Sequence, residues 1–309
     1  MKWSVSSAKI FLQCPKKWYF QTIFANSLSK NSQRKEAALL KRLHSVWSWR
    51  GKLVDQVISK YIVPRINRHE QIKDEVFSYA NKLMKAQFEF AKQRKYRNPE
   101  ARTNSYDYCA LSDFEKGCSV SEEHLEQVAE EVEGSILNLI NSSLLSEIVN
   151  DGVYLIAQRP IQFQFADMTV RCTPDLIGLA KGKSPTIIDW KTETSGLKEH
   201  WLQLGIYGVA LSRTTPHKDF PCLACELQDP TKIKLIEFQL LRNQKSEYAL
   251  TDEDITNIED YIYSSSISMK QLTNGKSPEQ VINDLPLAKS PEICSSCKFK
   301  IMCWETMVA

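Results

Sequence analysis

The run Thr186-Ile187-Ile188-Asp189-Trp190-Lys191 constrains the fold more than any other stretch of the chain. A short, unbroken apolar run of this kind is what a central strand looks like. It ends on an acid and a base two residues apart, and residues i and i+2 of a strand point to the same side. Thr173-Pro174-Asp175 lies upstream, with thirteen residues between Asp175 and Asp189. Two strands, 176–179 and 186–190, joined as a hairpin, place Asp175 at the start of one and Asp189 and Lys191 at the end of the next. The three side chains then converge. Two carboxylates can hold a hard divalent cation, Mg²⁺ or Mn²⁺, through oxygen. Such a cation polarises a phosphoryl oxygen and makes a water more acidic. A lysine beside it orients or activates that water and offsets transition-state charge. The backbone carbonyl of Trp190, between the two side chains, is a further candidate ligand. An isolated Asp-x-Lys triplet is common, and a chance surface hairpin explains it when it stands alone. The strand that ends on it is the added weight.

Residues 197–212 read as a helix carrying Gln203-Leu204-Gly205-Ile206-Tyr207, where Gln203 and Tyr207 share one face at i,i+4 spacing. The set Ile187-Ile188-Asp189-Trp190-Lys191-Thr192 followed by Gln-x-x-x-Tyr resembles the RecB branch of the PD-(D/E)XK nucleases. The resemblance implies that Asp175, Asp189 and Lys191 bind the metal and cut phosphodiester bonds, and that Gln203 and Tyr207 position DNA.

Cys294, Cys297 and Cys303 form C-x2-C-x5-C near the C-terminus, and Cys14 precedes Pro15 and the aromatic Trp18-Tyr19-Phe20 near the start. Four thiolates can hold a 4Fe–4S cluster or a zinc ion, and chemistry alone leaves both open. The split pattern is similar to that of the iron–sulfur RecB-type nucleases, which include the AddB nuclease domain and CRISPR-associated exonucleases. That resemblance implies a 4Fe–4S cluster on Cys14, Cys294, Cys297 and Cys303, clasping the chain ends together. Cys222 and Cys225 make a second C-x2-C inside an apolar run without a partner pair, so they read as buried thiols. Cys109, Cys118 and Cys172 read the same way.

One position departs from the resemblance. The family carries a metal-binding histidine in a helical Gly-x-x-x-His segment, and here Gly51-Lys52-Leu53-Val54-Asp55 places an aspartate there. Gly51 costs about 1 kcal/mol inside a helix, which points to close packing or close DNA approach. An expected helix over 36–62 puts Trp47, Gly51, Asp55, Ile58 and Ile62 on one face. Asp55 is thus a candidate metal ligand, since oxygen suits Mg²⁺ or Mn²⁺; the alternative is a solvated residue beside a weakened site. His44 is a poor substitute, about 16 Å away along the same expected helix.

The remaining pattern completes an α/β expectation: a PD-(D/E)XK core with a small mixed sheet flanked by helices, a helical insertion, and a cysteine clasp. Residues 1–64 hold N-terminal helices, with Ser6 or Ser7 capping the first. Residues 65–150 hold the insertion, looser near 97–120; 151–245 the nuclease core, with further strands over 161–165, 168–172, 222–228 and 233–241; 246–309 a helix from Thr251 to about 272 and the cysteines. All belong to one nuclease domain, 1–309. At 309 residues the chain can bury a core without disulfides. Its net charge of +3 permits nucleic-acid binding without arguing for it. The early cations, Lys16, Lys17, Lys30, Arg34, Lys35, Lys41, Arg42, Arg50 and Lys52, taken alone read better as solvated helix faces than as a binding surface. No apolar run is long enough to span a bilayer and no secretion leader is evident, so the expected location is the cytoplasm.

By resemblance the expected activity is metal-dependent DNA cleavage, as an exonuclease on ends or single strands, in DNA repair, recombination or CRISPR-type defence. The expected partners are DNA and a helicase or other recombination or CRISPR-adaptation protein. Two rivals stay open: a weakly active or inactive nuclease-like DNA-binding subunit, and a redox or zinc protein with structural carboxylates.

Overall fold

A computed structural model describes residues 2–72, 74–192, 200–214, 220 and 229–308. The chain opens on a short strand, β1 (Lys2–Trp3), and a helix, α1 (Val5–Gln13). Ser4, not Ser6 or Ser7, caps α1 by accepting the Ser7 N–H, because it is the extended residue left between strand and helix. Cys14 ends α1 and caps α2 (Pro15–Tyr19), its sulfur accepting the Lys17 N–H at 3.3 Å. A π turn, Phe20–Phe24, follows.

The single helix expected over 36–62 is broken in two. α3 (Ser32–Leu40) and α4 (Val46–Val57) are separate, and α4 runs on through a π turn, Ile58–Ile62, into α5 (Val63–Asn67). The break has a tertiary cause. His44 bridges Leu111 in parallel: its N–H donates to Ala110 O at 2.9 Å, and its carbonyl accepts from Ser112 N at 2.8 Å. These bonds occupy the backbone groups that a continuous helix would use. His44 therefore lies outside the helix that carries Asp55. Between 65 and 150 the chain forms α6 (Glu75–Lys92), α7 (Ser112–Glu115), α8 (Glu122–Ile140) and α9 (Ser143–Asn150), with a largely irregular stretch before α7.

The strands follow: β2 (Tyr154–Ala157), β3 (Ile161–Phe165), β4 (Met168–Cys172), β5 (Leu176–Leu179) and β6 (Thr186–Lys191). After α10 (His200–Arg213) come β7 (Lys234–Gln239), β8 (Gln244–Tyr248) and α11 (Asp252–Thr273), which starts on a capping box of Thr251 and Asp254. The chain ends with α12 (Pro278–Asp284), α13 (Pro291–Ser295) and α14 (Lys300–Val308). The expected strand over 222–228, with Cys222 and Cys225, lies outside the described residues.

The main sheet has five strands in the order β2-β5-β6-β7-β8, with β6 and β7 parallel and the other pairs antiparallel. A smaller sheet, β1-β4-β3, accompanies it. This is a mixed α/β fold with helices on both faces of its sheet. Alternation along β6 divides the interior. Ile187 joins a core with Leu235, Ile206 of α10 and Ile258 of α11. Ile188 and Trp190 join a second core with Leu53 and Val54 of α4 and Val132 of α8. The chain ends also meet, with the Phe20 and Phe299 rings stacked at 5.6 Å and the Tyr19 hydroxyl donating to the Pro278 carbonyl.

Two helix glycines separate propensity from packing. A Cβ at Gly205 in α10 would lie 2.7 Å from Ile258 Cδ1 and 3.2 Å from Leu250 Cδ2, whereas one at Gly134 in α8 would meet nothing within 4 Å. Gly134→Ala is therefore expected to raise stability by about 0.5–1 kcal/mol. Gly205→Ala gains the same helix preference but overpacks a buried contact, which costs about 1–3 kcal/mol, so a net loss is expected. Urea unfolding of both variants checks the opposite signs.

Candidate active site

The β5–β6 pairing stops at Leu176 opposite Ile188. One step beyond, Asp175 faces Asp189. The Asp175 carboxylate takes over from the ladder, with Oδ2 accepting the Trp190 N–H at 3.1 Å. A residue's N–H and C=O leave a strand on the same edge, so the Trp190 carbonyl also lies toward Asp175. Asp175 is clipped from β2 as well. Gln158 donates its side-chain amide to Oδ1 at 2.9 Å and its backbone N–H to the Asp175 carbonyl at 2.9 Å. Gln158 does this at φ 50°, the left-handed region that a residue with a Cβ seldom occupies.

Asp189 is 1% exposed. Its Oδ1 accepts from Gln203 Nε2 at 3.1 Å, and the same nitrogen donates to the Tyr207 hydroxyl at 2.7 Å. Its Oδ2 is ion-paired with the Lys191 ammonium. On the opposite face of β6 the Trp190 indole N–H donates to Asp55 Oδ1 at 2.5 Å. The structure thus links every carboxylate, lysine, glutamine and tyrosine singled out from the sequence for the phosphodiester site. Helix α4 is held onto the end of β6 by two neighbours of Asp55. Arg50 donates to the Thr192 carbonyl at 2.9 Å, and a Cβ on Gly51 would lie 3.2 Å from Thr192 Oγ1. Close packing is the role that the structure gives this glycine.

Sequence reasoning missed two residues. Gln158 had no signal, because only the fold brings it to Asp175. Glu237 had one: it is an acid inside an apolar strand, register partner of Asp189 and fully buried, with Gln239 donating to its Oε1 at 2.5 Å.

Burial raises the pKa of Asp55, and the charge of Asp189 adds to that, while the Trp190 hydrogen bond and Lys191 oppose it. Burial raises Asp175 well above the carboxylate range, reinforced by Asp189 and Asp55. Burial also works against charge on Lys191, but Asp189, with Asp175 and Glu237, outweighs it and raises the ammonium's pKa. The Tyr207 phenol is pushed up by burial and by the same two aspartates.

The family model of the PD-(D/E)XK nuclease superfamily matches residues 2–304. The chain belongs to this superfamily. No curated protein sequence matches the nuclease. Among solved structures, the crystal structure of SSO0001 is 17% identical, with a TM-score of 0.29 over 60% of this chain and 76% of its own. A protein from Eubacterium rectale, provisionally named an exonuclease, is 12% identical, with a TM-score of 0.32 over 88% of this chain and 92% of its own. Membership rests on the family match. No helix among the described residues is long and apolar enough to cross a membrane.

PD-(D/E)XK nucleases typically use Mg²⁺ or Mn²⁺. Among the described residues, no three His, Cys, Asp or Glu side chains stand grouped as a finished metal site. The donor chemistry nevertheless fits a hard cation, because Asp55, Asp175 and Asp189 lie within electrostatic reach of one another and, among the described residues, the buried Asp189 Oδ2 is partnered by the Lys191 ammonium alone. The four expected cluster cysteines line one cavity of about 80 Å³, with apolar Phe20, Ile293 and Phe299. Burial raises the thiol pKa of Cys297 and of Cys303, and the neighbouring cysteines add to it. Cys109 and Cys172 are buried and Cys118 is exposed.

The raised pKa of Asp55 fixes a pH dependence in the metal-free nuclease. Its stabilising share is complete below the unfolded carboxylate value of about 3.9 and is lost as pH rises through the higher folded value. Asp55→Asn keeps an acceptor for Trp190 and removes that loss. In chelator, the variant is expected to melt above the wild type at neutral and alkaline pH, with the gain shrinking as the pH approaches 3.9. Thermal melts across pH check this.

Proposed function

We propose that this nuclease hydrolyses DNA phosphodiester bonds as a Mg²⁺- or Mn²⁺-dependent exonuclease acting on ends or single strands, in repair, recombination or CRISPR-type defence. On this reading it works beside a helicase or another recombination or CRISPR-adaptation protein. The observation that carries it is the linkage of Asp55, Asp175, Asp189 and Lys191 around the end of β6. Asp55, Asp175, Asp189 and the Trp190 carbonyl would hold the cation, which when bound supplies charge at a phosphoryl oxygen and acidity to an attacking water. The residues do the rest. Lys191, whose pKa its carboxylate neighbours raise, orients or activates the water and offsets charge on phosphorus-bound oxygens. Tyr207 stays a neutral phenol and, with Gln203 fixing its oxygen, donates to a phosphate of the strand.

The test is cleavage of labelled DNA with Mg²⁺, with Mn²⁺ and with chelator. Asp189→Ala and Lys191→Ala are expected to abolish cutting with far-UV circular dichroism unchanged; full activity in either removes the assignment. A second reading, a nuclease-like DNA-binding subunit, draws on Asp55 being engaged by Trp190. A metal titration separates the two. Asp55→Ala should raise the Mn²⁺ needed for half-maximal cutting and Asp55→His should retain activity, whereas coincident curves favour the weakened site.

The same proposal assigns a 4Fe–4S cluster to Cys14, Cys294, Cys297 and Cys303, supported by their shared apolar cavity. Anaerobically purified protein is expected to be brown, with iron and sulfide at about four each per chain. Stoichiometric zinc without sulfide overturns this. Losing any one cysteine should lower the melting temperature, because the cross-link joins distant chain ends.

A further inference from the structure

A cavity of about 870 Å³ lies on the α4 side of the carboxylates, with Asp55 and Gln158 in its lining. Its walls come from α4, from the 41–44 turn, from β2 and from the insertion, which contributes Gln87, Thr103 and Tyr108. Lys41, Arg42, Lys52 and Lys60 line it, and none of the four has an ion-pair partner among the described residues. Asp55 is the one carboxylate in that lining. A second cavity, of about 620 Å³, is lined by Gln203 and Tyr207 together with Lys2 and Arg171, and Lys41 lines both. The carboxylate site is therefore flanked by two cation-lined cavities that share Lys41.

Unpaired cations crowded into one concavity are costly unless an anion accompanies them. The crowding reaches His44, whose pKa is lowered to about 3 by burial and then by the charges of Lys52 and Lys298. The volume is that of a pocket for a small-molecule ligand. A few nucleotides of one strand would fill it. Tyr108 and Tyr154 add aromatic rings to the lining, a sequence-tolerant surface for stacking bases.

We propose that this cavity is a single-strand channel, in which Lys41, Lys52 and Lys60 bind the phosphates next to the scissile bond under a wall built by the insertion. The inference rests on the nuclease reading above and names the form of DNA that reaches its site. The channel holds the strand on the Asp55 side of the cation site, while Gln203 and Tyr207 hold it on the other.

The experiment separates the two claims. Binding of a short fluorescent oligothymidylate is measured against salt in an Asp189→Asn background, so no cleavage is needed. Each lost phosphate contact on a single strand reduces the slope of log affinity against log salt by about 0.7. Lys41→Gln/Lys52→Gln/Lys60→Gln should therefore reduce it by roughly 2. A control with the same charge loss on α6, Lys82→Gln/Lys85→Gln/Lys92→Gln, should change it little. Equal effects of the two triples, or no effect of the first, overturn the channel. Failure of the wild-type chain to hydrolyse a small chromogenic phosphodiester with Mn²⁺ would instead strike the nuclease reading, and the salt slope would still report on the channel.

Discussion

The structure turns on three carboxylates within electrostatic reach of one ammonium where a strand pairing stops. β5 and β6 pair as far as Leu176 and Ile188, and beyond that point the Asp175 side chain, not a carbonyl, accepts the Trp190 N–H. A ladder left open would expose an unsatisfied donor beside the core, which costs about 1–3 kcal/mol. Closing it with a carboxylate satisfies the donor and fixes an anion beside Asp189. The same residue, Trp190, then sends its indole to the other face of the sheet to bond Asp55. Alternation along β6 thus ties two cores, otherwise separated by the sheet, to one cluster of charge.

That cluster is held in place by elements with little chemistry of their own. Gly51 lets α4 approach Thr192, Arg50 bonds the Thr192 carbonyl, and Gln158 accepts a left-handed backbone to bond Asp175 twice. A non-glycine residue in that region stores strain of order 1–3 kcal/mol, and it persists where the surroundings over-determine it. The two bonds to Asp175 supply that determination. Asp175 is therefore fixed by the protein's own bonds, which is what positioning chemistry requires.

How much of this was legible follows from the range of each signal. The strand ending on Asp189 and Lys191, the start of β5 after Asp175, and the Thr251 cap are local patterns, and local patterns can be read. The i,i+4 rule likewise put Gln203 within reach of Tyr207, and the structure bonds the pair. The break between α3 and α4 was not legible, because Leu39, Leu40 and Leu43 continue a helical spacing. What ends it is the His44 bridge to Leu111, far off in sequence. Gln158 escaped for the same reason. Glu237 escaped because an isolated acid in an apolar strand has no motif to join it to Asp189; only the parallel register with β6 sets the two side by side.

The aspartate at position 55 changes the electrostatic character of the site. An imidazole there is neutral at the alkaline end of physiological pH, whereas a carboxylate adds charge to two others already crowded by burial. One ammonium cannot balance three carboxylates, and the pKa of Asp175 rises partly for that reason. The same excess charge that attracts a divalent cation repels a phosphodiester while the cation is away. The cations on the α4 side act against that repulsion, since Lys52 lies near enough to Asp55 to lower its pKa. Lys52 thus moderates the carboxylates on one side and lines the cavity on the other. Asp55 and Lys52 of α4, and Lys60 of the π turn that continues it, thus line one cavity, a single carboxylate among cations.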